Sequence, residues 1–231
     1  MAAIIEQQVQ AIRNNVIEMM ALAQKQVARS QEALFDFNKE ITEEIIATEK
    51  KINSLDLKID SDCEQTLALY NPVADDLRLI ISVLNINTFL ERIGDNAESI
   101  AKFINDFEEP FPAHLLDDLQ LKKMFEHCLF MLEVVTESFE EEDTHLAAKV
   151  FKRDREIDEI NDAAIKVIAD AIRGDLKNAE NYLRLISIVR KMERVGDLIK
   201  NIAEETIFYV DAKVLKHKKK KRDKFISQDE D

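Results

Sequence analysis

Apolar residues recur along this chain at alternating steps of three and four. The clearest series is Val83, Ile86, Leu90, Ile93, Ala97, Ile100, Ile104 and Phe107, the seam of a helix packed in a bundle or coiled coil. An offset of 102 residues leads to Leu185, Ile188, Met192, Val195, Ile199, Ile202, Thr206 and Tyr209. All of these except Thr206 are readily buried, and Thr206 is tolerable. One helical pattern is therefore used twice. A second, weaker match lies upstream. Glu49-x-x-Ile52-Asn53-x-Leu55 resembles Asp154-x-x-Ile157-Asp158-x-Ile160 at an offset of 105, and a small insertion or deletion between helices reconciles the two offsets.

The breaks in this pattern set the organisation. Asn71-Pro72 reads as an N-cap with proline at the first helical position. Glu109-Pro110-Phe111-Pro112 is the clearest interruption, and Arg173-Gly174-Asp175 is another. Asp36-Phe37-Asn38 and Glu142-Asp143-Thr144 are weaker turns that offer Asp or Asn as caps. Six helices are predicted, over 2–36, 39–69, 72–107, 114–142, 144–172 and 177–212. Short connections make consecutive helices antiparallel. The expected fold is all-α: a tandem repeat of two three-helix bundles, built from six long antiparallel helices. The first repeat covers 1–108, a proline-containing linker 109–113, the second repeat 114–212 and a charged tail 213–231.

Composition supports this reading. Of 231 residues, 46% are hydrophobic and 34% charged, enough apolar side chains for a core. Only three glycines, three prolines and 6% aromatics disfavour a β-sandwich or barrel. The net charge of −14 makes nucleic-acid binding an unsuitable main role. Cys63 and Cys128 form no CxxC pair, which fits a reducing cytoplasm. The N-terminus meets a charge at Glu6 and lacks a signal-peptide core. No apolar run approaches the ~20 residues of a membrane span.

The candidate chemistry lies on the matched helices. Glu91-Arg92-Ile93-Gly94-Asp95 and Glu193-Arg194-Val195-Gly196-Asp197 stand at the same offset of 102 and hold two of the three glycines. Glycine inside a helix costs about 1 kcal/mol relative to Ala. Its repeated use calls for a closely packed neighbour, or for room beside the backbone where a cation and its waters approach. Glu and Asp four apart share a helical face and repel each other. On a helical wheel they point away from the seam, so an acidic pair is expected on the outer face of each repeat. A hard or borderline cation would relieve the repulsion. The plainer alternative is surface salt bridging, Arg92 to Asp95 and Arg194 to Asp197.

Other motifs carry less. Glu142-x-x-His145 has half the spacing of a ferritin-like di-iron site, but no second copy accompanies it and His145 falls at a helix start, so it reads as solvent-facing. His127-Cys128 is explained by burial. No phosphate loop, nucleophile elbow or HExxH is present, and catalysis is not supported. The run His217-Lys218-Lys219-Lys220-Lys221-Arg222 reads as a solvated helix end, or as a contact for anionic lipid headgroups at most peripheral to a membrane.

The duplicated motifs, ERIGDNAESIAKFI at 91–104 and ERVGDLIKNIAEETIFYV at 193–210, together with Asn71 to Arg78, resemble the PhoU family of phosphate-transport regulators over about residues 10–210. That resemblance implies a cytoplasmic homodimer acting on the ATPase subunit of a phosphate ABC transporter and on the phosphate-sensing histidine kinase. It also implies multinuclear clusters of divalent or trivalent metal ions, iron or zinc, seated on Glu91, Asp95, Glu193 and Asp197. Asn201 matches a further family position, whereas the first repeat has Ser99, so the first site is expected to hold metal less tightly. Glu49, Asp154 and Asp158 are candidate ligands from neighbouring helices. The alternatives are a helical carboxylate-bridged metalloenzyme and a metal-free helical scaffold.

Overall fold

A computed structural model describes residues 2–215; the basic run 217–222 lies outside the described residues. Among the described residues there are seven α-helices: α1 (Ala2–Phe35), α2 (Lys39–Tyr70), α3 (Ala74–Asp106), α4 (Ala113–Asp118), α5 (Leu121–Glu141), α6 (Thr144–Gly174) and α7 (Ala179–Asp211). A 3-10 turn, Leu176–Asn178, precedes α7. Six of the helices are long, α4 is a short addition, and no strand occurs among the described residues.

The repeat is visible in the turns. Phe37 and Glu142 both take the left-handed conformation, with φ of 48° and 57°. The next residue caps the following helix in each case: Asn38 accepts from the Glu40 amide at 2.9 Å, and Asp143 from the His145 amide at 2.8 Å. The α1–α2 and α5–α6 turns are thus one device, repeated at the 105-residue offset of the second helices.

Two expected boundaries differ. Asn71 does not cap α3; it closes α2 in the left-handed region at φ 47°, a conformation that Asn tolerates. Pro72 is left in the connection, Val73 is extended, and α3 starts at Ala74. The predicted helix 114–142 is also divided. Leu119 and Leu121 are both buried, yet on one straight helix they would point roughly 200° apart. Gln120, at φ 49°, re-aims the chain so that both reach the core.

The seam holds throughout. Every residue of both apolar series is buried, including Thr206, whose hydroxyl donates to the Ile202 carbonyl at 3.0 Å. α3 packs on α1 and α2, α7 packs on α5 and α6, and α3 lies along α7. The α3–α7 pair is antiparallel: Arg78 Nε donates to the Tyr209 carbonyl, Ser82 Oγ to the Glu205 carbonyl, and Asp106 pairs with Arg184. That register brings the two Glu-Arg-x-Gly-Asp motifs to the same level.

Candidate functional site

The motif glycines are filled, not vacant. A Cβ on Gly94 would lie 2.6 Å from Glu49 Oε2 and 3.0 Å from Ile52 Cδ1. A Cβ on Gly196 would lie 3.0 Å from Ile157 Cδ1 and 3.9 Å from Asp154 Oδ1. The expected open approach for hydrated cations at these glycines is therefore corrected: α2 packs on Gly94 and α6 on Gly196, since close helix contact is what the missing side chain permits. Glu49 and Asp154 occupy corresponding places, as the weaker sequence match implies.

The acids are also less outward than the helical wheel suggests. Glu91, Glu193 and Asp197 are partly buried, and only Asp95 is exposed. The wheel locates the seam but not the second helix flanking it. Burial pushes the Glu91 carboxyl above its usual range, helped by Asp95 and Asp56. Burial raises Glu193 in the same way, helped by Asp197 and Asp158. The salt bridges Arg92–Asp95 and Arg194–Asp197 are not formed among the described residues; the partner of Asp197 is Lys200.

The repeats then diverge. In the first, Glu49 is 3% exposed and neither carboxylate oxygen has a hydrogen-bond partner. Burial, followed by the charges of Asp95 and Glu98, pushes its carboxyl up to about 7; Gln26, whose amide is bonded to the Ile45 carbonyl, offsets this only in part. In the second repeat, Lys200 Nζ donates to Asp154 Oδ2 at 2.8 Å and also to Asp197. These two carboxylates raise the Lys200 pKa despite its burial. Asp158 is exposed and reaches the site through its charge on Glu193. Between α3 and α7 lies a groove of about 530 Å³, lined by Arg92, Asp95, Asn96 and Ser99 from one side and Lys191, Arg194, Asp197 and Leu198 from the other. Asn201 is partly buried one residue beyond Lys200.

The motif pattern does not single out Glu98 and Lys200. They stand at matching positions, seven residues past the motif glutamates, with opposite charge. The 102-residue offset is the signal that pairs them. The features set aside behave as expected: His145 is exposed, and Cys128 is buried with its thiol donating to the Met192 carbonyl.

The residues fit a metal unequally. Among the described residues, no three His, Cys, Asp or Glu side chains converge as a ready-made shell. The first repeat nevertheless offers two orphaned buried oxygens of Glu49 beside an acidic rim, the donor set a hard cation takes. In the second, an ammonium already holds the equivalent place.

The PhoU domain matches residues 16–104 and again residues 121–206. The chain belongs to the PhoU family. A Burkholderia relative, the "Phosphate-specific transport system accessory protein PhoU homolog", is 30% identical over 87% of this chain and 86% of its own. The crystal structure of PhoU from Pseudomonas aeruginosa superposes with a TM-score of 0.83 at 27% identity, covering 90% of this chain and 99% of that one. The structure of the phosphate transport system regulatory protein PhoU from Streptococcus pneumoniae gives 0.81 at 25% identity, covering 91% and 98%. Both PhoU repeats are therefore present, and each carries its acidic motif on its last helix.

Proposed function

We propose that this chain is a non-catalytic regulator of phosphate uptake that holds the phosphate-starvation response off when phosphate is plentiful. The observation that carries the reading is the PhoU match to both halves of the chain, with a Glu-Arg-x-Gly-Asp motif at the same place in each. Relatives named as accessory or regulatory proteins of phosphate transport support it.

In this reading the protein works in the cytoplasm as a homodimer. It contacts the ATPase subunit of a phosphate ABC transporter and the phosphate-sensing histidine kinase. Among the described residues no helix is long and apolar enough to cross a membrane, which agrees with docking onto a transporter from outside the bilayer. Glu91 and Asp95, with Glu49 behind them, would hold a divalent or trivalent cation such as iron or zinc. Such an ion supplies charge neutralisation to a cluster that is otherwise self-repelling.

Deleting the gene tests the regulatory reading. Phosphate-starvation genes are expected to be expressed in phosphate-rich medium, and the intact chain supplied on a plasmid should silence them. Unchanged expression and unchanged phosphate accumulation in the deletion strain would overturn it.

A further inference from the structure

Glu98 and Lys200 occupy equivalent positions on α3 and α7, and the difference between them decides how each repeat balances its acids. In the second repeat the Lys200 ammonium is bonded to buried Asp154 and to the motif aspartate Asp197. In the first repeat Glu49 takes the place of Asp154 beside the motif glycine and is likewise buried, but its two oxygens find no donor. The residue that could have answered it is Glu98, whose own partner is Lys102, an exposed side chain one turn further along α3. Lys191 of α7 feels the charge of Asp95, but its ammonium lies over the Phe103 ring at 5.5 Å from the centroid. An unpaired buried carboxylate is costly, and natural folds pair such groups or place them on metals.

We propose that the two repeats balance their acids by different means. The second carries its cation covalently, as Lys200. Only the first leaves that place open to one from solution, a divalent or trivalent metal ion anchored on the orphaned oxygens of Glu49 and drawn in by the surrounding charge of Glu91, Asp95 and Glu98. The inference rests on the reading of the motif acids as a cation site. It reverses the ranking expected from Asn201 and Ser99, because a charged amine between Asp154 and Asp197 outweighs one additional amide oxygen as an influence on metal entry. The pair at position 98 and position 200 is then the selectivity determinant of the duplicated motif.

The test uses the full chain, stripped with chelator, exchanged into metal-free buffer and titrated with Mn²⁺ alone and with Zn²⁺ alone. Calorimetry gives the metal bound per chain, and melting temperature with and without metal gives an independent readout through ligand linkage. Asp95→Asn is expected to remove the saturable binding and the metal-dependent rise in melting temperature. Asp197→Asn is expected to leave both as in the parent. Glu98→Lys should abolish binding while melting above the parent in chelator. Lys200→Glu should melt below the parent in chelator, recover with metal, and bind about twice the metal. The two Asp→Asn variants keep shape, and helical content by circular dichroism confirms that they fold. Equal loss of metal from Asp95→Asn and Asp197→Asn, or parent-like binding by Glu98→Lys, would overturn the division of labour and leave the metal reading standing. A parent that binds neither ion overturns both, while the reporter experiment on the deletion strain still judges the regulatory role separately.

Discussion

Arg13 on α1 reaches across the repeats to Tyr209 on α7, donating from Nη1 to the phenol oxygen at 2.9 Å. Tyr209 is the last member of the second apolar seam, so the first helix of one repeat is fastened to the end of the other. Both terminal nitrogens of the guanidinium make further bonds. Nη1 pairs with Glu142 at 2.5 Å, and Nη2 donates to the Phe139 and Glu140 carbonyls, each at 2.8 Å, in the last turn of α5. Arg13→Ala is expected to lower the unfolding free energy by about 2–3 kcal/mol, since charge-assisted bonds to partly buried groups are lost. Arg13→Lys should recover only part, because an ammonium lacks the planar fork. Urea unfolding of the three proteins checks this.

The same cluster sets a dependence on acid. The Tyr209 hydroxyl, and then Arg13, hold the Glu142 carboxyl below the usual carboxylate range. A lowered pKa contributes stability that is present at neutral pH and lost as pH falls through the lowered value. Glu142→Gln should therefore flatten the acid limb of the stability profile while leaving the limb above neutrality unchanged, as followed by melting temperature against pH.

Glu49 produces the opposite sign. Its carboxyl is pushed up to about 7, mainly by burial. A raised acid pKa means the native state holds the proton longer than the unfolded chain does. In metal-free protein its favourable contribution is present below the usual Glu value and is lost as pH rises towards about 7. Glu49→Gln should make this decline shallower, leaving the part owed to the other raised carboxyls, and, at pH 8 in chelator, stabilise the fold by ~1–2 kcal/mol, a discounted fraction of the full linkage value. Stability that falls as steeply between pH 5 and 7 in Glu49→Gln as in the parent would count against the assignment.

The two motif glycines should respond differently to alanine. Each gains up to about 1 kcal/mol of helix propensity. At Gly94 the new methyl meets Glu49 Oε2 at 2.6 Å and Ile52 Cδ1 at 3.0 Å, so two buried side chains must shift together. At Gly196 the nearest atom is the flexible tip of Ile157, at 3.0 Å. Gly94→Ala is expected to destabilise by ~1–2 kcal/mol, within the range for overpacking, and Gly196→Ala to stay within about 1 kcal/mol of the parent once the helix gain is counted. Chemical denaturation of each single variant and of Gly94→Ala with Glu49→Ala, which relieves the clash, decides it.

Leu90 and Met192 are enclosed at matching seam positions. Replacing either with Ala should cost ~2–5 kcal/mol, the transfer term plus the cavity. A cost below about 1 kcal/mol at either position would mean that the local packing collapses to fill the space.

Most of the fold is written in the sequence as periodicity. The seam from Val83 to Phe107 and its copy predict burial residue by residue, and Asn38 and Asp143 announce their caps by type. The break at Gln120 is not legible, because neither Gly nor Pro marks it; the only trace is that Leu119 and Leu121 cannot both face inward on one helix. The site is legible in part. Repetition singles out Glu91, Asp95, Glu193 and Asp197, yet the wheel misjudges their surroundings, because α3 has neighbours on several sides and a wheel knows only one seam. Glu49 and Asp154 emerge as equivalent only when α2 and α6 are laid against the glycines. Lys200 is hidden for a simpler reason: one charge on a helix face looks like any other until the carboxylates it bonds, on α6 and on its own helix, are seen beside it.

If the first-repeat acids carry the regulatory function, and are not merely surface charge, their neutralisation must silence the protein without unfolding it. A phosphate-starvation reporter in the deletion strain, grown with ample phosphate, reads this out. The strain is supplied with the parent chain or with Glu91→Gln/Asp95→Asn at matched protein levels. In chelator this variant should melt at or slightly above the parent, because two like charges are removed without loss of shape. The parent is expected to silence the reporter and the variant to leave it expressed. A variant that folds, accumulates and silences the reporter as the parent does would show that these acids are not what the regulation depends on.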